Sequence, residues 1–572
     1  MMPGKEINFK PISTVALIFT FIFFFTALVG VWVAYDRRIA WRRFGMIAGG
    51  LMVGIGAVWT GRRGGERALG AIGLACAVLA AVIGTCFLLT YDWTTTGWVK
   101  FPVLQRFGLW WQAHRPGIYV VKDLNPNLIA GGLMLALLLG MGGVVWAWTR
   151  RHRQAAVIGA LALFLALGTL VLTASRGAWF AFSAGALAAA YLEWRTNSAG
   201  WPSLRWLGDV LLVGGLLVIL VGFGVALAWP DLEHWLDALP RGGTLVSRIG
   251  FWRESLTMVG DYPFTGSGLG GTEMVHSSYV RLLHVGFIEQ HVHNLLLQIA
   301  VEQGLPGLVA FLGLLGVVIW ELVGLYHQCE CERALRWAGT AVVTALLLQG
   351  IGEAGNYNGS MALIGFLPFG FVLGCARRRE VKDQVTGSLA FIRHPRWLSI
   401  GGGVAVIVAL AVLLLPGPRA AFRANLGAVA QTRAELSVYR WPEWRMQDAV
   451  RRSPDVNLAP AIAHYRAALA LDPANVTANR RLGQIELSLG QYQAAKQHLE
   501  AAFAAAPGQR ATRQLLGESY ALAGEIERAA ALWRTIDVSQ GQLRLRQRWY
   551  DSIGESQQGT RLARAVACST AE

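Results

Sequence analysis

Charged residues are scarce in this chain of 572 residues, where Asp, Glu, Lys and Arg together account for 15% of the total. A soluble globular domain usually carries roughly 25% charged residues. Apolar residues make up 54% and gather in long runs. These runs exclude an ordinary soluble enzyme and predict an all-α bundle that crosses a membrane many times.

Acidic residues are the scarcer charge, with 35 against 51 basic residues and a net charge of +16. In a soluble protein this excess would suggest nucleic-acid binding. Here the basic residues fall mainly in short loops between apolar runs, which is the pattern of cytoplasmic loops in membrane proteins. We therefore expect contact with a membrane and none with nucleic acid.

Cysteine is also rare, and the six cysteines suggest no disulfide framework. Cys76 and Cys86 lie in an apolar run, and Cys329 and Cys331 lack a second pair at the spacing of a zinc site. We therefore expect neither a bound metal nor another cofactor.

The apolar runs predict about eleven or twelve spanning helices at roughly 20 residues each. The first run is too long for the core of a signal peptide and is predicted to be a retained anchor. The eighth run is long enough to be tilted, or to break near Gly304 and Pro306. The predicted spans are 12–35, 44–60, 68–90, 127–149, 154–173, 177–193, 207–229, 294–323, 337–354, 360–376 and 398–416.

Basic loops predict the orientation of these spans. The loops predicted to be cytoplasmic are 150–153, 195–205, 333–336 and 377–396. The segments predicted to lie on the opposite side are 91–126, 174–176, 230–293, 355–359 and everything after about 417. One loop disagrees, because Arg37, Arg38, Arg42 and Arg43 fall on the outer side. An early span is misplaced, or these arginines bind an anion, or the charge rule fails here.

The chain changes character after residue 416, where polar and apolar residues mix at helical spacing. Leu482, Gly483, Gly490 and Ala495 recur 34 residues later, which is the period of tetratricopeptide repeats. Such repeats form an α-solenoid that either binds a protein partner or passively caps a neighbouring domain. The predicted domains are a membrane domain at 1–416 with a large outer loop at 230–293, a linker at 417–456, repeats at 457–540 and a tail at 541–572.

Two histidines and an asparagine, His291, His293 and Asn294, stand at the start of the run 294–323, and Glu302 follows within it. Ionisable residues at membrane depth are costly, so they are candidates for a functional site. A neutral imidazole can take a proton from an attacking hydroxyl. Asn294 or Glu302 would orient the histidine or bind substrate.

Two arginines are predicted on the same outer side, Arg176 in a very short turn and Arg248 in the large loop. Arg248 and Trp252 are four residues apart and would share a helix face. Gly266 and Gly268 lie in a stretch where main-chain amides could approach an anion. Guanidinium groups bind phosphate oxygens bidentately and stabilise a diphosphate leaving group. Together these residues suit an anionic substrate embedded in the membrane.

Three stretches resemble the O-antigen ligase family, which also contains O-antigen-polymerase-like proteins and protein O-oligosaccharyltransferases. They are ASRGAW at 174–179, R-x-x-x-W with P-x-x-G-x-G at 248–268, and H-x-H-N-x-x-L-Q-x-x-x-E-x-G-x-x-G at 291–307. NPNLIAGGL at 125–133 is similar to a further family segment. The resemblance covers roughly residues 12–416.

The resemblance implies a glycosyltransferase of the bacterial inner membrane that acts at the periplasmic face without metal or nucleotide sugar. Its donor would be a glycan on undecaprenyl diphosphate, and its first expected acceptor is lipid A–core. Arg176 and Arg248 would bind the diphosphate, and His293 would activate the acceptor. The residues assigned to substrate binding are His291, Asn294, Trp252, Gly266, Gly268 and Glu302.

The repeats depart from the minimal family pattern and leave the acceptor open. A growing glycan chain and a protein hydroxyl are the close alternatives to lipid A–core. A transporter of polyprenyl-linked glycans would also need cationic groups in a membrane cavity, but transporters more often have related halves, which this sequence lacks. A third class of function is a scaffold, in which the repeats would assemble other proteins and the membrane part would be an inert anchor. The arginines at the membrane boundary argue against an inert membrane part.

Overall fold

The structure is a computed structural model that describes residues 14–94, 101–117, 121, 124–197, 202–229, 232, 243–280, 291–328, 331–376, 414–439, 447–536 and 540–570. Within these residues the secondary structure is helical, apart from one isolated bridge between Tyr91 and Val121. The predicted all-α class is confirmed.

Six helices of the described part are long and apolar enough to cross a membrane, so the chain is a multi-pass membrane protein. These six are α1, α2, α4, α5, α10 and α11. The helices of this part are α1 (Thr14–Val33), α2 (Arg37–Thr90), α3 (Pro102–His114), α4 (Pro126–Thr149), α5 (Arg153–Leu172), α6 (Arg176–Asn197), α7 (Pro202–Ala228), α8 (Gly243–Asp261), α9 (Thr272–Val280), α10 (Leu295–Gln328), α11 (Arg333–Gly352), a 3-10 turn (Gly359–Met361), α12 (Ala362–Gly365) and α13 (Leu367–Cys375).

Helix α4 lies at the centre of the bundle, with most of its length buried. Small residues let its neighbours approach closely: a Cβ atom on Gly143 would lie 2.4 Å from the carbonyl carbon of Gly73 in α2. Contacts of this kind hold helices together where lipid, not water, surrounds them. Large side chains at the periphery, such as Phe21 and Phe164, point outward, as expected for surfaces covered by lipid.

Two long helices break at glycines. Gly65 interrupts α2 with φ 60°, so the predicted spans 44–60 and 68–90 are the two halves of α2. Gly304 interrupts α10 with φ 72° and ψ −177°, which confirms the break predicted near Gly304. A Cβ atom on Gly304 would lie 2.9 Å from the carbonyl oxygen of Pro263. The break therefore makes room for the loop that follows α8.

The remaining predicted spans have different outcomes. The runs 177–193 and 207–229 correspond to helices α6 and α7. The run 360–376 is not one helix: it is divided among the 3-10 turn, α12 and α13. The run 398–416 and the basic loop 377–396 lie outside the described residues, except for 414–416.

The C-terminal part is a stack of helices. Residues 417–456, predicted as a linker, instead contain two helices in the described part, since Pro416 starts the first of them and its alanine-rich face packs on the next helix. Of the predicted tail 541–572, the described residues 541–570 form most of a further helix pair. The helices are α14 (Pro416–Leu436), α15 (Gln447–Arg452), α16 (Ala459–Leu471), α17 (Val476–Ser488), α18 (Tyr492–Ala505), α19 (Arg510–Ala523), α20 (Ile526–Arg534), α21 (Gln540–Ser552) and α22 (Ser556–Thr570). The tetratricopeptide assignment stays a prediction.

Helix α15 lies against the first helices of the three pairs α17–α18, α19–α20 and α21–α22. Asp448 of α15 accepts hydrogen bonds from Ser488 in α17 and from Arg546 in α21, and Arg546 also pairs with Glu518 in α19. Burial opposes ionisation of Asp448, but the charge and hydrogen bonds of Arg546 lower its pKa to about 2. Helix α15 thus occupies the face of the stack that the first helices of these pairs form, and this face is called the inner face below.

The break in α10 leads to a first prediction. Gly304→Ala should destabilise the protein by roughly 1–3 kcal/mol, since this backbone conformation is almost restricted to glycine. The matched control is Gly316→Ala in the same helix, where an added Cβ atom meets nothing within 4 Å. Thermal unfolding in detergent, followed by tryptophan fluorescence, measures both. Equal midpoints for the two variants would contradict the account of the break.

Candidate active site

The two histidines lie in a short turn that the start of α10 holds in place. The Oδ1 atom of Asn294 accepts a hydrogen bond from the amide of Leu297 at 3.0 Å, and its Nδ2 atom donates to the carbonyl of Ile351 at 3.1 Å. The amide of Val292 donates to Gln298 at 2.7 Å. Asn294 thus caps α10 and ties it to the end of α11. His293 has a φ of 52°, a left-handed conformation that is uncommon outside glycine and concentrates at functional sites.

Glu353 joins both histidines and was not predicted from the sequence. It follows the last residue of α11 and is 8% exposed. Its Oε1 atom lies 2.5 Å from Nε2 of His291, and its Oε2 atom lies 3.4 Å from Nδ1 of His293. Burial opposes ionisation, but hydrogen bonds from the two rings, together with the positive charge of a ring when it is protonated, lower the pKa of Glu353 below its ordinary value. The carboxylate is therefore an acceptor for both rings.

This arrangement fixes the chemistry of His293. An ionised carboxylate has no proton to give, so the ring must donate through Nδ1. A neutral His293 that donates through Nδ1 carries its lone pair on Nε2. The side chain of His293 is 18% exposed, against 9% for His291. His293 is thus the more accessible ring, with the tautomer that a general base requires.

The same three side chains are also spaced as metal ligands. One ligand atom from each of His291, His293 and Glu353 lies within 4.8 Å of the others. Two imidazoles and one carboxylate suit a divalent transition metal. In the structure the carboxylate pairs with both rings.

Arg248 lies in helix α8, next to the end of α11. A Cβ atom on Gly352, the residue before Glu353, would lie 3.2 Å from Nη1 of Arg248. Among the residues that the structure describes, none forms a hydrogen bond or ion pair with this guanidinium. Trp252, one turn further along α8, is 5% exposed and packs on Phe223 at 5.2 Å between ring centroids. Its role in substrate binding stays a prediction.

Arg176 is the first residue of α6 and is exposed. Helices α6 and α11 run antiparallel: Arg336 pairs with Glu193 at 2.5 Å, and a Cβ atom on Gly185 would lie 3.0 Å from that of Ala345. Extending this register brings the start of α6 level with the end of α11. Arg176, Arg248 and the histidines are therefore at one end of the bundle, as the basic loops predict.

The glycine stretch after α8 is packed against the protein itself. Gly266 and Gly268 have φ values of 69° and 102°. Added Cβ atoms would lie 2.3 Å from the backbone of Glu302 and 2.6 Å from that of Ala34. The glycines therefore permit close packing against α10 and the end of α1. Their predicted contact with substrate is untested.

Glu302 is held by groups of the protein. It is 1% exposed and lies 3.2 Å from Nη2 of Arg43, while Gln298 donates at 2.8 Å and the amide of Gly270 at 3.1 Å. Arg43, one of the arginines predicted on the outer side, therefore does bind an anion, and that anion belongs to the chain. Glu302 fixes the glycine stretch to α10, and its role in substrate binding stays a prediction.

Residues 161–312 match the family model of O-antigen ligase. The match spans Arg176, Arg248 and both histidines of the cluster, and ends before Glu353 and the C-terminal helices. A comparison with curated proteins found no match.

Proposed function

The chain carries an O-antigen ligase domain at residues 161–312, and from that premise we propose that it transfers a glycan from undecaprenyl diphosphate to an acceptor hydroxyl. The proposed site is the periplasmic face of the bacterial inner membrane, and the proposed acceptor is lipid A–core. A metal-independent reaction is part of the proposal. Nucleic acid has no part in it, and a protein partner on the repeats stays a prediction.

One observation carries the proposal: a carboxylate-oriented imidazole lies beside an arginine that has no partner among the described residues. Glu353 binds both histidines, and Arg248 contacts the residue before it. A base for the acceptor and a cation for the leaving group are the two parts that this transfer needs.

The transfer balances with these groups. The acceptor hydroxyl oxygen forms a bond to the anomeric carbon of the donor as the bond from that carbon to the diphosphate oxygen breaks. The hydroxyl proton passes to Nε2 of His293. The electron pair of the broken bond stays on the diphosphate, where Arg248 and Arg176 stabilise the charge.

The acceptor decides among the alternatives of the same chemistry. A growing glycan chain would make the protein a polymerase, and a serine or threonine hydroxyl would make it a protein O-oligosaccharyltransferase. A transporter would move the lipid-linked glycan without breaking its diphosphate bond. Each alternative leaves a different product, so one assay separates them.

The test uses purified protein and undecaprenyl-diphosphate-linked glycan in EDTA, in separate mixtures with lipid A–core, with a serine- and threonine-containing protein, and with no added acceptor. Glycan on lipid A–core supports ligation. Longer lipid-linked chains would instead identify a growing glycan as the acceptor, and glycosylated protein would identify a protein hydroxyl. Product that forms only after a divalent metal is restored would overturn the metal-independent reaction. Unchanged donor in every mixture would overturn the proposed transfer and leave transport of the lipid-linked glycan as the alternative.

Arg248→Ala should lower transfer by about a hundredfold, since removing one preorganised donor to a developing anion costs that much. The control is Arg466→Ala, an exposed arginine of α16 that has no place in the proposed site. Initial rates at saturating acceptor measure both variants. A rate for Arg248→Ala within threefold of wild type would remove this arginine from the site.

A further inference from the structure

Asp261, the last residue of α8, is a carboxylate at the unfavourable end of a helix. The carbonyl groups at a helix C-terminus repel negative charge, and 2% exposure removes most of the hydration of this side chain. Its partners come from α17 in the C-terminal stack. Nε of Arg481 lies 2.8 Å from Oδ2, Arg480 donates to the same oxygen, and Thr477 donates to Oδ1 at 2.7 Å.

The next residue extends the same contact. Tyr262 is 1% exposed, and its hydroxyl accepts a hydrogen bond from Nη2 of Arg481 at 2.9 Å. The hydroxyl also lies 2.5 Å from that of Thr432 in α14. The guanidinium carbon of Arg481 is 5.2 Å from the centroid of the tyrosine ring. The corner at 261–262 is thus enclosed by helices of the C-terminal stack.

A third contact continues along the loop. Oδ1 of Asn425 in α14 accepts hydrogen bonds from the amides of Phe264 and Thr265 at 3.0 and 3.3 Å. Two residues later, the amide of Ser267 donates to the carbonyl of Val301 in α10 at 2.7 Å. The C-terminal stack therefore holds residues 261–265, which connect α8 to the glycine stretch packed against α10.

We propose that Arg480 and Arg481 are positioning residues for Arg248, because they hold the far end of the helix that carries it. Arg248 and Asp261 are thirteen residues apart in α8, or about 20 Å along the axis. A tilt of about 3° at the gripped end moves the other end by about 1 Å. A displacement of about 1 Å would lengthen the hydrogen bonds from Arg248 to the diphosphate of the donor and so weaken donor binding. The inference rests on the proposed function and assigns the C-terminal stack to donor binding.

The test compares the double variant Arg480→Gln/Arg481→Gln with Arg451→Gln. Arg451 is the matched control: it forms a buried ion pair with Glu435 at 2.7 Å inside the C-terminal stack. Its hydrogen bonds among the described residues go to Glu435, Ser488 and Gln447, and none goes to the loop after α8. The double variant should raise the KM for undecaprenyl-diphosphate-linked glycan about tenfold or more, the usual effect of losing one hydrogen bond to a charged group. The KM for the acceptor should stay unchanged, because Arg248 faces the diphosphate.

Two further variants separate positioning from simple loss of folding. Arg480→Lys/Arg481→Lys keeps both charges and should recover part of the donor KM. Asp261→Asn should raise the donor KM, and adding it to the double glutamine variant should raise it little more, because both changes break the same contact. Equal rises in donor and acceptor KM, or the same effect in Arg451→Gln, would overturn the inference.

Hydrogen exchange of the amides in α8 gives a readout that does not depend on activity. Faster exchange in the double variant, but not in Arg451→Gln, supports the contact of Arg480 and Arg481 with α8 even if no acceptor is ever glycosylated. In that case the proposed function fails and the positioning contact stands. Unchanged exchange together with an unchanged donor KM would overturn the positioning contact while leaving the proposed function in place.

Discussion

His293→Ala should reduce glycan transfer on the order of a thousandfold, within the range that a general base contributes. The reason is geometric: Glu353 accepts a hydrogen bond from Nδ1 of His293 at 3.4 Å, and this orients the opposite ring nitrogen as the proton acceptor. Alanine removes that nitrogen and leaves Glu353 with His291 at 2.5 Å. The protein should remain folded, because one partner of the carboxylate is retained.

The matched control is His498→Ala in the C-terminal stack. His498 forms the same kind of pair, with Nδ1 2.7 Å from a carboxylate oxygen of Glu486. It should keep wild-type transfer, measured as glycan on the acceptor per folded protein. Glu353→Gln should fall between the two, since an amide holds the rings less firmly. Transfer by His293→Ala above one tenth of wild type would exclude this histidine as the base.

Glu302→Ala should cost about 3–5 kcal/mol of folding free energy, the usual result of leaving one member of a buried ion pair alone. The carboxylate is 1% exposed and 3.2 Å from Arg43. Its loss also leaves the amide of Gly270 without its acceptor and removes one of the two acceptors of the Gln298 side-chain NH2 group. Most of the variant should therefore fail to accumulate as folded protein.

Two comparisons make this expectation specific. Glu527→Ala changes an exposed carboxylate of α20 and should leave the unfolding midpoint as it is. Replacing both members of the buried pair, in Arg43→Met/Glu302→Leu, should be milder than Glu302→Ala, because no buried charge is left unpaired. Thermal unfolding in detergent measures all three. A wild-type midpoint for Glu302→Ala would contradict the role given to the pair.

Much of the membrane part could be predicted from local pattern. Long apolar runs and basic loops indicate the spans, and Gly304 followed by Pro306 indicates the break in α10. The motif residues also share one end of the bundle, since a span and its flanking loops fix the side on which each residue lies. These features depend on residues close together in sequence.

The partners of the motif residues could not be found in this way. Glu353 lies sixty residues after His293, and Arg43 is 259 residues from Glu302. Only tertiary packing brings such residues together. A signal was present, because acidic residues at the ends of apolar runs are costly, but the sequence does not name the partner. Residues 417–456 were predicted as a linker, whereas the described part of this segment contains helices α14 and α15. Its alanines and charged residues, with few large apolar side chains, do not indicate a packed helix until the neighbouring helices are known.

The position of α15 on the inner face of the C-terminal stack has a consequence for biosynthesis. Helices α14 and α15 precede the three pairs in the chain, so they are synthesised first. The later helices then assemble on a segment that is already tethered beside the finished membrane part. Shortening the chain from its C-terminus should therefore remove the pairs one at a time, whereas deleting Gln447–Arg452 removes Asp448 and with it the hydrogen bonds to Ser488 in the first pair and Arg546 in the third.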